Sequence, residues 1–105
     1  MKVANDEELA ALTLAGPLDG RCSSELREEL YDHIRRHPGE DVVVDLSRVE
    51  SIDATAFRLL AAAALRLERG GRRVVLRGCS PSLRRLFAFG GWRRLFLLER
   101  STDDH

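Results

Sequence analysis

Residues 42–71, VVVDLSRVESIDATAFRLLAAAALRLERGG, constrain the fold more than any other stretch of the chain. Three β-branched residues, Val42, Val43 and Val44, open a run that leads to Ile52 without period-2 polarity. That pattern suits a strand covered on both sides, or covered on one side and shielded on the other. Asp53 is suited to cap a helix, and from about residue 54 to 69 apolar side chains recur at helical spacing until Gly70-Gly71 stops them. At about 100° per residue, Thr55, Arg58, Ala62, Arg66 and Arg69 share one face, and Phe57, Leu60, Ala61, Ala64 and Leu67 share the other. A strand that runs straight into an amphipathic helix points to helices packed against a sheet.

The flanking segments repeat this alternation. Leu9, Ala11, Leu12 and Leu14 form a strand-like run before Gly16-Pro17, and Met1–Ala4 can pair with it across the polar turn at Asn5–Glu8. After Asp19-Gly20, Ser23 can cap a helix whose stripe is Leu26, Leu30, Tyr31 and Ile34, ended by His37-Pro38-Gly39. Arg73–Arg77 is the next strand. Ser80-Pro81 pairs a capping hydroxyl with a proline at the first helical position, and Gly90-Gly91 is the stop. Leu95–Leu98 is a last short strand or an apolar tail on the sheet. The order β-β-α-β-α-β-α-(β) predicts a mixed sheet with helices packed against it.

A chain of 105 residues with 44% apolar residues is one compact domain. It has no apolar run of the roughly 18 residues that a membrane span needs, and MKVANDEE lacks the apolar core of a signal peptide, so a cytoplasmic protein without membrane insertion is expected. Cys22 and Cys79 lack metal-ligand spacing and read as reduced thiols in or near the core. Formal charge sums to zero but is unevenly spread. Residues 1–53 hold 13 acids against 6 bases, and residues 54–105 hold 4 acids against 11 bases. The switch falls at Asp53, and it gives a two-signed surface suited to a protein partner unless the two halves interleave.

"GPLDG" (16–20), residues 42–71, "RVVLRGCSPSLRRLF" (73–87) and "GGWRRLF" (90–96), in this order and spacing, resemble the STAS domain. This is the domain of bacterial anti-sigma factor antagonists, and it also occurs at the tails of sulphate transporters. The resemblance covers residues 1–100 and leaves 101–105 as a short polar tail. It implies an α/β fold with about four strands in a mixed sheet flanked by helices. It also implies a protein-binding switch rather than an enzyme: an antagonist that sequesters a serine-kinase anti-sigma factor and is released when that kinase phosphorylates it.

The family's switch motif is Asp-Ser/Thr-Ser/Thr/Ala-Gly, with the acceptor directly after the Asp. Its counterpart here is Asp53, Ala54, Thr55 and Ala56. Ala54 has no oxygen to phosphorylate, and Ala56 replaces the usual glycine. Thr55 is the neighbouring hydroxyl, on the polar face and in the first turn, where free N–H groups and the helix dipole favour an added anion. The expected contact surface is Asp53, Ala54, Thr55 and Arg58, with Asp19 in "GPLDG" beside it, and Thr55 is the candidate phosphorylation site.

Other signals are weaker. His33 and His37 have an i, i+4 spacing that can grip a metal, but no third ligand joins them and Asp32, so no metal is expected and a solvated helix end is the simpler reading. Arg84-Arg85 and Arg93-Arg94, interleaved with Phe87, Phe89, Trp92 and Phe96, invite a nucleic-acid reading. A pI near 6.8 argues against it, and the aromatics are expected to seal the last helix onto the sheet. No catalytic constellation, phosphate-cradling loop or cofactor motif is present. Three alternatives remain: the STAS subunit of a lipid-transport ABC system, which binds its ATPase and also centres on a Thr near this helix start; a structural part of a larger STAS assembly; and a nucleotide or small-ligand binder.

Overall fold

A computed structural model describes residues 1–6, 11–89 and 94–99 of the chain. Its elements follow the expected order: β1 (Lys2–Asp6), β2 (Ala11–Leu18), α1 (Ser23–Arg36), β3 (Val42–Ile52), α2 (Ala54–Arg69), β4 (Val74–Arg77), α3 (Pro81–Ala88) and β5 (Phe96–Leu98), with a 3₁₀ turn at Gly20–Cys22. They form one mixed sheet of five strands in the order β1-β2-β3-β4-β5. β1 is antiparallel to β2, and every later pair is parallel. The fifth strand is β5, which pairs Phe96, Leu97 and Leu98 with Val74, Val75 and Leu76. The alternative of an unpaired apolar tail is therefore excluded.

Each crossover joins neighbouring parallel strands in the same direction across the sheet. With the right-handed sense that such crossovers take, all three helices fall on one face. Burial follows this arrangement. Leu12 and Leu14 of β2, Val42, Val44 and Leu46 of β3, and Val74 and Leu76 of β4 are buried together with Leu26 and Leu30 of α1, Leu60, Ala61, Ala64 and Leu67 of α2, and Leu83 and Phe87 of α3. Thr13, Ala15, Val43 and Asp45 point the other way and are half-buried, and Leu97 is exposed. The central strand is therefore covered on one face only. The even run of valines reflects β propensity on an open face of small side chains as much as it reflects burial.

Sequential strand order has an electrostatic consequence. The acidic residues 1–53 build β1 to β3 and α1, and the basic residues 54–105 begin with α2 and contain β4 and β5. The two halves lie side by side instead of interleaving, so the charge switch at Asp53 becomes a boundary in space.

Some local expectations are corrected. β2 does not stop before Gly16-Pro17 but continues to Leu18, with Gly16 at φ 89°. β1 pairs only as far as Ala15, so Pro17 lies on an edge where a missing N–H costs nothing. Ser23 is not the cap of α1. It is the first residue of the helix, and its Oγ donates to the Gly20 carbonyl at 3.0 Å. His33 is not solvated: it is buried at 1% exposure, and its ring centroid lies 4.7 Å from that of His37. Asp32 pairs with Arg35 and Arg36.

The aromatic seal is partly realised. Phe57, Phe87 and Phe96 form a cluster with centroids 4.9 to 6.3 Å apart, but Phe89 is 80% exposed. Leu9, Gly90-Gly91, Trp92, Arg93 and residues 101–105 lie outside the described residues.

Candidate functional site at the start of the second helix

In adjacent parallel strands, the helices that follow them begin at the same edge of the sheet. β2 and β3 are such a pair, so the start of α1 and the start of α2 are neighbours. Asp53 joins them. Its Oδ1 accepts the Ala56 N–H at 2.9 Å, which is the N-cap bond of α2, and its Oδ2 accepts the Gly20 N–H at 2.9 Å. The Asp53 N–H in turn donates to the Leu18 carbonyl at 2.9 Å. One residue thus ties together the end of β2, the turn before α1 and the first turn of α2.

Asp19 works locally. Its Oδ1 accepts the Arg21 N–H at 2.9 Å, and its Oδ2 meets the Arg21 guanidinium at 3.1 Å. Hydrogen bonding from the Arg21 side chain, followed by its backbone N–H, holds the Asp19 carboxyl below the usual carboxylate range. This cap starts the 3₁₀ turn, and α1 itself has Cys22 at its N-cap position with no side-chain cap bond. Asp19 and Asp53 are linked through Gly20, which follows Asp19 in the chain and donates its N–H to Asp53. A Cβ on Gly20 would stand 4.0 Å from Thr55 Oγ1, so the Thr55 hydroxyl faces this turn.

Asp53, Ala54, Thr55 and Arg58 are all exposed, as the helical wheel predicts, while Ala56 and Leu60 are buried beneath them. Ala54 offers only a methyl group at this surface. Thr55 lies at the rim of a groove of about 590 Å³ between α1 and α2, which Ser23, Ser24 and Arg27 line from one side and Arg58 and Leu59 from the other. The α1 residues of this groove were not singled out from the sequence. Ser23 read as a cap, although the parallel pairing of β2 with β3 places it opposite Thr55.

Among the described residues, no group of three or more His, Cys, Asp or Glu is placed to hold a metal ion. No described helix is long and apolar enough to cross a membrane. Burial pushes the Cys79 thiol up to about 11, with Asp45 adding to the rise and Arg84 opposing it, so Cys79 carries almost no thiolate at neutral pH.

A family model described as "Mlab, STAS domain" matches residues 1–99. The chain belongs to the STAS domain family. Among solved structures it is similar to SpoIIAA, an anti-sigma factor antagonist in its unphosphorylated form, at 22% identity and TM-score 0.68, covering 89% of this chain and 80% of that one. It is likewise similar to the phosphorylated form of SpoIIAA, the Bacillus cell fate determinant, at 21% identity and TM-score 0.65, covering 87% and 82%. A sulfate transporter family protein from Wolinella succinogenes matches at 25% identity and TM-score 0.64, covering 80% and 67%. At these identities, the likeness to SpoIIAA shows that the STAS domain has the same fold as those antagonists. The expectation of about four strands is corrected only by the addition of β5.

Proposed function

We propose that this STAS domain is an antagonist-type binding module that sequesters a serine-kinase anti-sigma factor through the start of α2. Asp53, Ala54, Thr55 and Arg58 form the contact surface, with Asp19 beside it. Sequestering that partner would free its sigma factor for RNA polymerase. The observation that carries this reading is the exposed, rigidly capped segment Asp53-Ala54-Thr55, which stands where the family resemblance places the switch.

Because Ala54 lacks an oxygen, the module is a constitutive binder that phosphorylation at the usual position cannot silence. Incubation with the cognate kinase and ATP tests this: no mass gain and no release of the partner are expected. Efficient release on ATP addition overturns it. A mass gain that disappears in Thr55→Ala would instead assign the acceptor to Thr55, where the free N–H groups of the first turn and the groove rim would surround the phosphate.

A second reading, the STAS subunit of a lipid-transport ABC system that binds its ATPase, is favoured by Thr55 itself, an exposed Thr at this helix start. The matching family model is described by the name Mlab and not by a sigma-factor role. Co-purification from the native cell separates the two readings, since one yields a kinase and the other a transport ATPase.

A further inference from the structure

The groove that starts at Thr55 does not end there. Arg27, Leu59 and Ala62 line both the groove at the helix starts and its continuation, which runs on to Tyr31 and Arg66. From Thr55 to Arg66 this channel spans about 16 Å along α2, or three helical turns. Its floor is apolar at Leu59 and small at Ala62, so a partner backbone can come close. Its α2 wall is basic, with Arg58 and Arg66, and its α1 wall is mixed, with Arg27 beside Glu28 and Arg35 paired to Asp32, so the channel as a whole is net positive.

Some arginines elsewhere are engaged, and others, Arg48, Arg69 and Arg85, form no ion pair among the described residues. Arg21 pairs with Asp19, Arg36 with Asp32 and Arg77 with Glu99, while Arg72, Arg73 and Arg84 donate to backbone carbonyls. Arg66 lies over the Tyr31 ring, 5.5 Å from its centroid, which holds it at the rim. Neither Arg27 nor Arg58 pairs with a carboxylate among the described residues. A trough between two helices, apolar along its floor and net positive through Arg58 and Arg66 on one wall and Arg27 on the other, matches a helix with one apolar stripe flanked by acids.

We infer that the α1–α2 groove receives an acidic amphipathic helix of the protein partner, whose carboxylates meet Arg27 and Arg58 and whose apolar stripe lies on Leu59 and Ala62. This rests on the reading of the α2 start as a partner surface and names the chemistry of what lands there. Because Thr55 stands at one end of the same trough, a phosphate on it would compete with the partner's acids for Arg58.

The test is a titration of the isotopically labelled full chain, followed by amide shifts. The probe is a synthetic acidic peptide about four turns long, with leucines on one face and glutamates elsewhere, and its twin carries lysine for every glutamate. The expected result is saturable shifts at residues 23–28 and 55–66 with the acidic peptide alone. Binding should weaken about tenfold in the Arg27→Glu/Arg58→Glu variant, and several-fold as NaCl rises from about 50 to about 300 mM.

Both arginines are exposed, so an unchanged melting temperature should accompany the lost binding. No shifts in the groove, equal shifts with the two peptides, or undiminished binding by the double variant overturns the inference. Free phosphate or ATP shifting the same amides while the acidic peptide does not would identify a small-anion site instead, and that also overturns it. A chain that binds a kinase-type anti-sigma factor but not the acidic peptide keeps the proposed function and loses this inference. A chain that binds the peptide but no such factor does the reverse.

Discussion

Two strand-to-helix junctions at the same edge of the sheet, β3–α2 and β4–α3, solve the same problem in opposite ways. Both caps are polar side chains accepting from the third residue of their helix, Asp53 from Ala56 at 2.9 Å and Ser80 from Leu83 at 3.2 Å. The β4–α3 junction is filled. Gly78 sits at φ 71° with its missing Cβ only 2.7 Å from Ser47 Cβ, and Cys79 beside it is half-buried. The β3–α2 junction is bare: strand, cap and helix follow without a spare residue, and Asp53, Ala54 and Thr55 face outward. The first junction is committed to packing, whereas the second leaves its surface for something else.

The sharpest way to break this contrast is Gly78→Ala. The added methyl meets Ser47 where β3 bulges, and a left-handed backbone is imposed on an L side chain, so the expected loss is about 3 kcal/mol in urea unfolding. A loss below about 1 kcal/mol would mean the junction is looser than its geometry indicates.

Asp53→Ala comes next. It removes the α2 cap and the bond to Gly20, together about 2 kcal/mol. Ser80→Ala removes a cap alone, about 1 kcal/mol, so the difference between the two variants reads out the Gly20 tie.

Asp19 gives a pH-dependent comparison. Its carboxyl binds protons less readily in the fold than in the unfolded chain, so its contribution is present above the ordinary carboxylate range and is lost as pH falls through and below it. Asp19→Asn should flatten the acid limb of a stability–pH curve without moving stability at pH 7 as far as Asp53→Ala does.

Gly20→Ala should do least, within about 0.5 kcal/mol, since its Cβ would make an ordinary contact with Thr55 Oγ1. If it instead weakens partner binding while stability holds, the turn is part of the contact surface.

The sequence carried the helices well, because capping residues and stop signals act locally. Asp53, Ser80-Pro81 and Gly70-Gly71 mark their boundaries without reference to the rest of the chain. It carried β2 poorly, because whether Gly16-Pro17 ends a strand depends on β3 pairing beyond it, at Gly16 with Val49 and Leu18 with Ile52, which is a tertiary fact. The site divides in the same way. The exposed face of α2 follows from helical periodicity, so Thr55 and Arg58 were legible. Gly20, Ser23 and Arg27 enter only through the parallel pairing of β2 with β3, and no local spacing encodes that. His33 was legible and missed: it stands seven residues after Leu26 and three after Leu30, so helical periodicity puts it on the buried stripe of α1.

The strand order, which follows the chain from β1 to β5, also bears on how the molecule is made. Every strand lands on the edge of one already synthesised, and no strand must wait for a later segment to be inserted beside it. Long-range closure is thereby divided into short steps, each about one βα unit in length. As the chain emerges N-terminus first, the apolar helix-side faces of β2, β3 and β4 are each covered in turn by the helix that follows.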